Sequence, residues 1–315
     1  MKRIFELTRQ DIEKITKRQL IETIKTSEGR TVMAETVITV PSLIYGVSNL
    51  ELAAAFGSDM VTLNLFDFNN PFIFGLDDLK LNLANGLFDF QKIIDIARKN
   101  YEDINYIKKI KNIVGRFIGV NLEPVPEEIE YIYGRRLNKD NLKKAREYGF
   151  DYIVITGNPN TGVNTDTIIN GIQLAKEVLE EDVMIVAGKM HGAGSGNIYD
   201  EKVLKDFIKA GADCILIPAP GTVPGIDFNI AKKQIDAIHD EGALAMTTIG
   251  TSQEGSSKSV IEYIAIQSKM AGADIQHIGD AGYFGVALPE NIMALSIAIR
   301  GVRHTYRRMA YSLNK

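Results

Sequence analysis

The chain reads as an α/β protein, a (β/α)8 TIM barrel, on three observations. First, short apolar runs rich in β-branched residues recur about every thirty residues: 152–156 (YIVIT), 183–188 (VMIVAG), 214–219 (CILIPA), 244–250 (LAMTTIG) and 275–279 (IQHIG). Second, the stretches between them, 167–179, 203–210, 230–239 and 260–271, carry apolar residues at spacings of three and four, the mark of an amphipathic helix. Third, Gly-x-Asp stands before predicted strands at Gly57-Ser58-Asp59, Gly149-Phe150-Asp151, Gly211-Ala212-Asp213 and Gly272-Ala273-Asp274. The glycine suits a left-handed helix end and the aspartate enters the next strand. Strands alternating with helices predict a parallel sheet, and near-continuous apolar strands predict burial on both faces.

In chain order, residues 1–30 form an N-terminal helical extension with a helix at 10–27. It caps the barrel bottom or meets a second subunit. Strand one is placed at 32–38, a helix at 49–56 and strand two at 60–66. Residues 67–114 are too long for one connection. They open with an aromatic stretch, then helices at 88–100 and 103–113, and read as a lid, a subunit surface or a packed excursion. The remaining strands fall at 117–122, 152–157, 183–189, 214–219, 244–249 and 275–279. The domain expectation is thus an extension at 1–30 and a barrel at 31–315 with 67–114 inserted after strand two. An open doubly wound sheet is the rival, but no Gly-x-Gly-x-x-Gly follows strand one or two.

Composition excludes several classes. The 315 residues are 45% hydrophobic, against the low hydrophobicity of a disordered chain. The balance of 36 Lys+Arg to 40 Asp+Glu, net −4, lacks the basic excess of a nucleic-acid binder. No run approaches ~18–20 apolar residues, so no membrane span is expected. The start, MKRIFELTRQDIEK, has no apolar signal core, and a cytoplasmic location is expected. The single cysteine, Cys214, lies in an apolar run and reads as a small buried hydrophobe. Arg300, Arg303, His304, Arg307 and Arg308 form a basic helix face, read as solvated and suited to a helix C-terminus. A small-molecule substrate is the expected partner, and the extension with the apolar helix 288–299 suggests a homo-oligomer.

Barrel chemistry lies at the C-terminal ends of the strands. Those ends carry Glu35, Asn64, Asn121 with Glu123, Thr156 with Asn158, Lys189 with His191, Thr248, and His277 with Asp280. Polar groups in apolar strands are costly unless paired, so their recurrence at one level indicates a site. Lys189 directly follows an apolar run, where desolvation suits a Schiff base or proton shuttle; an ion pair with Glu123 or Glu35 is the alternative. His191 is a general acid or base by its intrinsic pKa, or a loop histidine bonded to backbone. Glu123 or Glu35 could take a proton next to a carbonyl while Lys189 or His191 steadies the enolate oxygen. Asn64, Asn121, Thr156, Asn158, Thr248 and Asp280 are the candidate substrate contacts. Gly250, Thr251, Ser252, Gly279 and Gly282, in loops after strands seven and eight, are the candidate phosphate cradle, although the Asp280 carboxylate suits it poorly. No cofactor is predicted. Glu35, Glu123, His191 and Asp280 make an oxygen-rich set suited to Mg or Mn, and no zinc spacing occurs.

The segments 27–35 (SEGRTVMAE), 120–124 (VNLEP), 155–163 (ITGNPNTGV), 188–194 (GKMHGAG), 247–257 (TTIGTSQEGSS) and 288–310 resemble an uncharacterised bacterial family of barrel proteins. Members are sometimes labelled haloacid-dehalogenase-like, and the architecture is more distantly similar to the BtpA/SgcQ group and to phosphate-binding barrels. The resemblance covers most of the chain and implies the barrel, but no reaction and no catalytic residue. Dehalogenase chemistry needs two aspartates two residues apart after a strand; Asp67-Phe68-Asn69 lacks the second. The resulting expectation is an enzyme acting on a small phosphorylated, carbohydrate-like metabolite by proton transfer next to a carbonyl, an isomerase, epimerase or carbon–carbon lyase. The alternatives are a metal-assisted hydrolase and a non-catalytic assembly or regulatory barrel.

Overall fold

Eight parallel strands close on themselves, each paired with the next and the last with the first. The computed structural model describes residues 1–78, 90–158, 160–189 and 200–311. A 3-10 turn (Ile4–Glu6), α1 (Arg9–Ile12) and α2 (Lys17–Lys25) precede the barrel. Then follow β1 (Thr31–Val37), α3 (Asn49–Ala55), β2 (Met60–Asn64), α4 (Phe90–Glu102), α5 (Tyr106–Val114) and β3 (Phe117–Leu122). Next come α6 (Lys139–Tyr148), β4 (Tyr152–Ile155), α7 (Thr165–Leu179), β5 (Met184–Gly188), α8 (Glu201–Ala210) and β6 (Cys214–Pro218). The chain ends with α9 (Phe228–Asp240), β7 (Leu244–Ile249), α10 (Lys258–Ala271), β8 (Ile275–Ile278) and α11 (Pro289–Ala310). This is the (β/α)8 barrel predicted. No helix among the described residues is long and apolar enough to cross a membrane.

The repeated Gly-x-Asp has a common geometry. Asp59, Asp151, Asp213 and Asp274 each donate their N–H to the preceding strand, at the carbonyls of Val32, Ile118, Ile185 and Ala245, over 2.8–2.9 Å. Each side chain then accepts the N–H of that same residue, again at 2.8–2.9 Å. The motif therefore fastens each even-numbered strand to the odd-numbered strand before it. Its spacing of two βα units follows from that pairing. Gly57, at φ 108°, turns the chain out of α3 into this lock, a conformation that favours glycine.

Side chains alternate along each strand between helices and barrel interior. Val32 and Ala34 pack outward, whereas Met33 points in. The lower interior is filled by Met33, Met60, Phe117, Tyr152, Met184, Cys214, Leu244 and Ile275, together with Ile4, Phe5, Leu20 and Ile24 from the N-terminal segment. That segment thus plugs the barrel bottom. Its helical part is broken rather than continuous over 10–27, because Thr8 with Asp11 and Thr16 with Gln19 form two separate capping boxes. Cys214 is fully buried, and burial pushes its thiol well up.

One expectation about the C-terminal helix needs correction. Its basic face is not uniformly solvated. Arg300 and Arg308 are buried and pair with Asp59 at 2.6 and 2.9 Å, while Arg303 and Arg307 stay exposed. Gly301, at φ 75° and ψ 165°, breaks α11 between the two buried arginines. Of the apolar side chains of 288–299, Ile292, Leu295 and Ile299 lie in the core. In the excursion after β2, Phe66 and Phe68 pack edge-on at 5.0 Å and both meet Phe150. The Tyr106 hydroxyl donates to Asp77 at 2.6 Å, and Asn100 donates to the Pro71 carbonyl at 2.9 Å. Asp67 caps its own turn through Asn69 N–H at 2.8 Å.

Candidate active site

The inward positions above the apolar floor are polar. The floor itself is the Tyr152 ring, whose hydroxyl meets Thr62 Oγ1 at 2.9 Å. Gly119 makes this possible, since a Cβ there would lie 2.1 Å from the ring. One layer higher, Glu35, Asn64, Asn121, Thr156, Gly157, Asn158, Gly250, Glu254, Gly279 and Asp280 line a cavity of about 90 Å³ at the C-terminal mouth.

Its polar groups hold one another. Asn121 Nδ2 donates to Glu35 Oε1 at 2.5 Å, and Glu35 Oε2 lies 2.9 Å from His277 Nε2. Asn64 Nδ2 donates to Asp280 Oδ2 at 2.6 Å. His277 is buried and its Nδ1 has no hydrogen-bond partner among the described residues. The Nε2–H tautomer is then the least costly: it donates to Glu35 and strands a lone pair rather than an N–H. Burial, followed by the nearby Glu35 charge, pushes Asp280 up to about 7, with the Asn64 bond opposing. Burial also raises Glu254, whose Oε2 has no hydrogen-bond partner among the described residues. Gly279 leaves the space that this carboxylate occupies: a Cβ there would come within 2.4 Å of Glu254 Oε1.

The other sequence-derived candidates sit differently. Glu123 is buried beside the cavity, not in its lining. It accepts from Tyr131 Oη at 2.8 Å and from Asn158 N and Nδ2 at 2.9 and 2.6 Å, so it anchors the loop after β4. Lys189 is buried at the end of β5 and donates to the Val163 carbonyl at 3.1 Å; desolvation lowers its pKa. His191 lies outside the described residues. Thr248 is buried and donates to the Ile217 carbonyl at 3.0 Å. Thr251 Oγ1 is taken up by the Thr222 carbonyl at 2.7 Å and by Gln253 Oε1 at 2.6 Å. Ser252 is left-handed at φ 77°, and Gly282 packs against the backbone of 286–288. Of the proposed cradle, Gly250 and Gly279 line the cavity. Sequence reasoning gave Glu254 no role, and noted His277 on strand eight without assigning it one. The signal for His277 was its inward parity; for Glu254 it was a lone acid in a Gly/Ser/Thr loop.

An oxygen-rich lining suits a hard cation in donor type. However, no three His, Cys, Asp or Glu side chains among the described residues are placed to hold one together.

A closed (β/α)8 barrel with an acid-lined mouth is thus the class of protein that fold and site define. The chain belongs to the family described as Domain of unknown function (DUF7916), whose model matches residues 5–315. That description carries neither the dehalogenase nor the BtpA label. No curated protein sequence matches the chain significantly. Among solved structures it is similar to the carboxyl transferase domain of Rhizobium etli pyruvate carboxylase, at 12% identity and TM-score 0.51, over 96% of this chain and 51% of that one. It is also similar to thiamine phosphate pyrophosphorylase from Pyrococcus furiosus, at 12% identity and TM-score 0.48, over 86% and 96%. A third is 2,3-dimethylmalate lyase, a PEP mutase/isocitrate lyase superfamily member, at 14% identity and TM-score 0.46, over 85% and 82%. At these identities the likeness is one of fold.

Proposed function

We propose that the protein is an enzyme that moves a proton next to a carbonyl group in a small hydroxylated metabolite, as an isomerase, an epimerase or a carbon–carbon lyase. One observation carries the reading: of the three carboxyl groups that line one small cavity, Asp280 and Glu35 have unlike surroundings. Asp280 is desolvated, keeps its proton up to about pH 7 and so suits the acid. Glu35 is held by Asn121 and His277 and suits the base. Unlike surroundings are how two carboxyl groups of one site take different roles. A second proton carrier in this reading is Lys189 at the end of β5, four strands from β1 around the barrel, with His191 two residues on in sequence.

The phosphate expected from the glycine loops is not assigned to this cavity. Against Gly250 and Gly279 it would face Glu254 and Asp280, and the described lining includes no Lys or Arg. The reacting carbonyl or hydroxyl group is the better occupant.

Deuterium exchange tests the reading. A panel of hydroxy-ketones and 2-oxo acids in D2O should yield a compound that gains deuterium next to its carbonyl. Asp280→Asn and Glu35→Gln should each slow that exchange by about 10²-fold or more. Exchange that neither substitution affects would overturn the assignment.

A further inference from the structure

Two of the mouth loops carry the same turn. After β1 comes Ile44-Tyr45-Gly46-Val47, and after β8 comes Tyr283-Phe284-Gly285-Val286. Each closes through an isolated antiparallel bridge between its first and last residues. Each has glycine third, at φ 81° and 74°. Each presents two large apolar side chains to solvent: Ile44 is 50% exposed, Tyr45 74%, Tyr283 57% and Phe284 51%.

The two turns are fastened together. Asn49, buried at the start of α3, accepts from Leu43 N–H at 3.0 Å and donates to the Phe284 carbonyl at 2.8 Å. Val37 N–H donates to the Gly285 carbonyl at 2.8 Å. The second turn also carries strain. Phe284 sits at φ 50°, a region that bulky residues seldom enter, with its ring edge-on to Tyr283 at 4.6 Å. Strain that the surroundings enforce gathers at ligand-binding sites.

Both turns follow the C-terminal ends of adjacent strands, β1 and β8, on the side of the barrel where the acid-lined cavity opens. Tyr283 is three residues from Asp280, at most about 11 Å along an extended chain. The cavity, at about 90 Å³, is small. On the function proposed above, a substrate's reacting group occupies this cavity and the rest of the molecule lies toward the mouth.

We propose that the twin turns are a ring-binding rim. They take a ring with an apolar face, the π face of an aromatic ring or the C–H face of a sugar ring, attached to the group that enters the cavity. Tyr and Phe rings engage such faces in stacked or edge-on contact. This names the substrate class of the site and rests on the cavity being where substrate reacts.

The test is saturation-transfer NMR on the full chain with three probes: methyl β-glucopyranoside, 4-hydroxybenzyl alcohol and open-chain sorbitol. A ring probe should receive transfer and sorbitol should not; which ring probe responds tells sugar from aromatic. Tyr45→Ala with Tyr283→Ala should lower the transfer at least fivefold with an unchanged circular dichroism spectrum, and Asp280→Asn should keep it. Ring probes that behave as sorbitol does, or that ignore the double substitution, would overturn the rim. So would a double variant that only lowers the particle mass in light scattering, which would assign the turns to a second copy of the chain. Loss of the rim leaves the deuterium-exchange result standing. Ring binding without exchange places the fault in the acid–base reading instead.

Discussion

Glu35 and His277 meet across the seam where the barrel closes. In the register of β1 with β8, His277 lies opposite Met33, one inward layer below Glu35, and its Nε2 reaches up to Oε2 at 2.9 Å. Asn121, on β3, holds the other oxygen at 2.5 Å. The carboxylate is therefore fixed from two sides before any ligand arrives. Replacing His277 by Ala leaves a buried oxygen unpaired, at a cost of about 1–3 kcal/mol. Urea unfolding should show the midpoint fall, and deuterium exchange should slow as well. A midpoint equal to wild type would mean that the contact orders nothing.

Asp280 should make stability depend on pH in a particular direction. Its folded pKa, about 7, lies above the unfolded value of about 4, so the folded state binds the extra proton between them. Stability attributable to Asp280 is then fully present below about pH 4 and declines as pH rises to about 7. Asp280→Asn should raise the melting temperature by a few degrees at pH 8 and leave it nearly unchanged at pH 4. Equal shifts at both pH values would contradict the desolvated acid.

The arginine cluster at the barrel bottom is an anchor for both chain ends. Arg308 pairs with Asp59 at 2.9 Å and donates to the Leu7 carbonyl at 2.7 Å. Burial pushes its pKa down to about 10 despite the Asp59 charge. Arg308→Met leaves Asp59 with Arg300 as its ion partner but strands the Leu7 carbonyl, and should cost about 1–3 kcal/mol. Chemical denaturation should report that loss; a change under ~1 kcal/mol would place Arg308 outside the lock.

Gly119 and Tyr152 form a lock-and-space pair in the floor. Gly119→Ala pushes a methyl into the ring and should destabilise by about 1–3 kcal/mol, as overpacking does. Tyr152→Leu in the same chain should restore part of the loss, because the contact at 2.1 Å disappears. Additive losses in a double-mutant cycle would show that the two residues do not share this space.

The barrel was legible because its signals are periodic. Runs such as 183–188 and 214–219 announce buried strands, and Gly-x-Asp marks every second one. The site was legible in part, because alternation sends Glu35, Asn64, Asn121 and Thr156 inward from strand ends. What failed was long-range partnering. Nothing near Arg300 or Arg308 in sequence signals Asp59, more than two hundred residues away, so a buried cluster read as a solvated face. Glu254 sits in a loop without periodicity, and only the fold brings it against Gly279.

The most direct test of the acid–base cavity is the titration of Asp280 itself. The measurement is carboxyl ¹³C NMR of aspartate-labelled protein, with the resonance assigned by its absence in Asp280→Asn. The predicted midpoint is about 7, moving down in Glu35→Gln as the neighbouring charge is removed. A midpoint of about 4, unmoved by that substitution, is the ordinary value for an aspartate and would contradict the account.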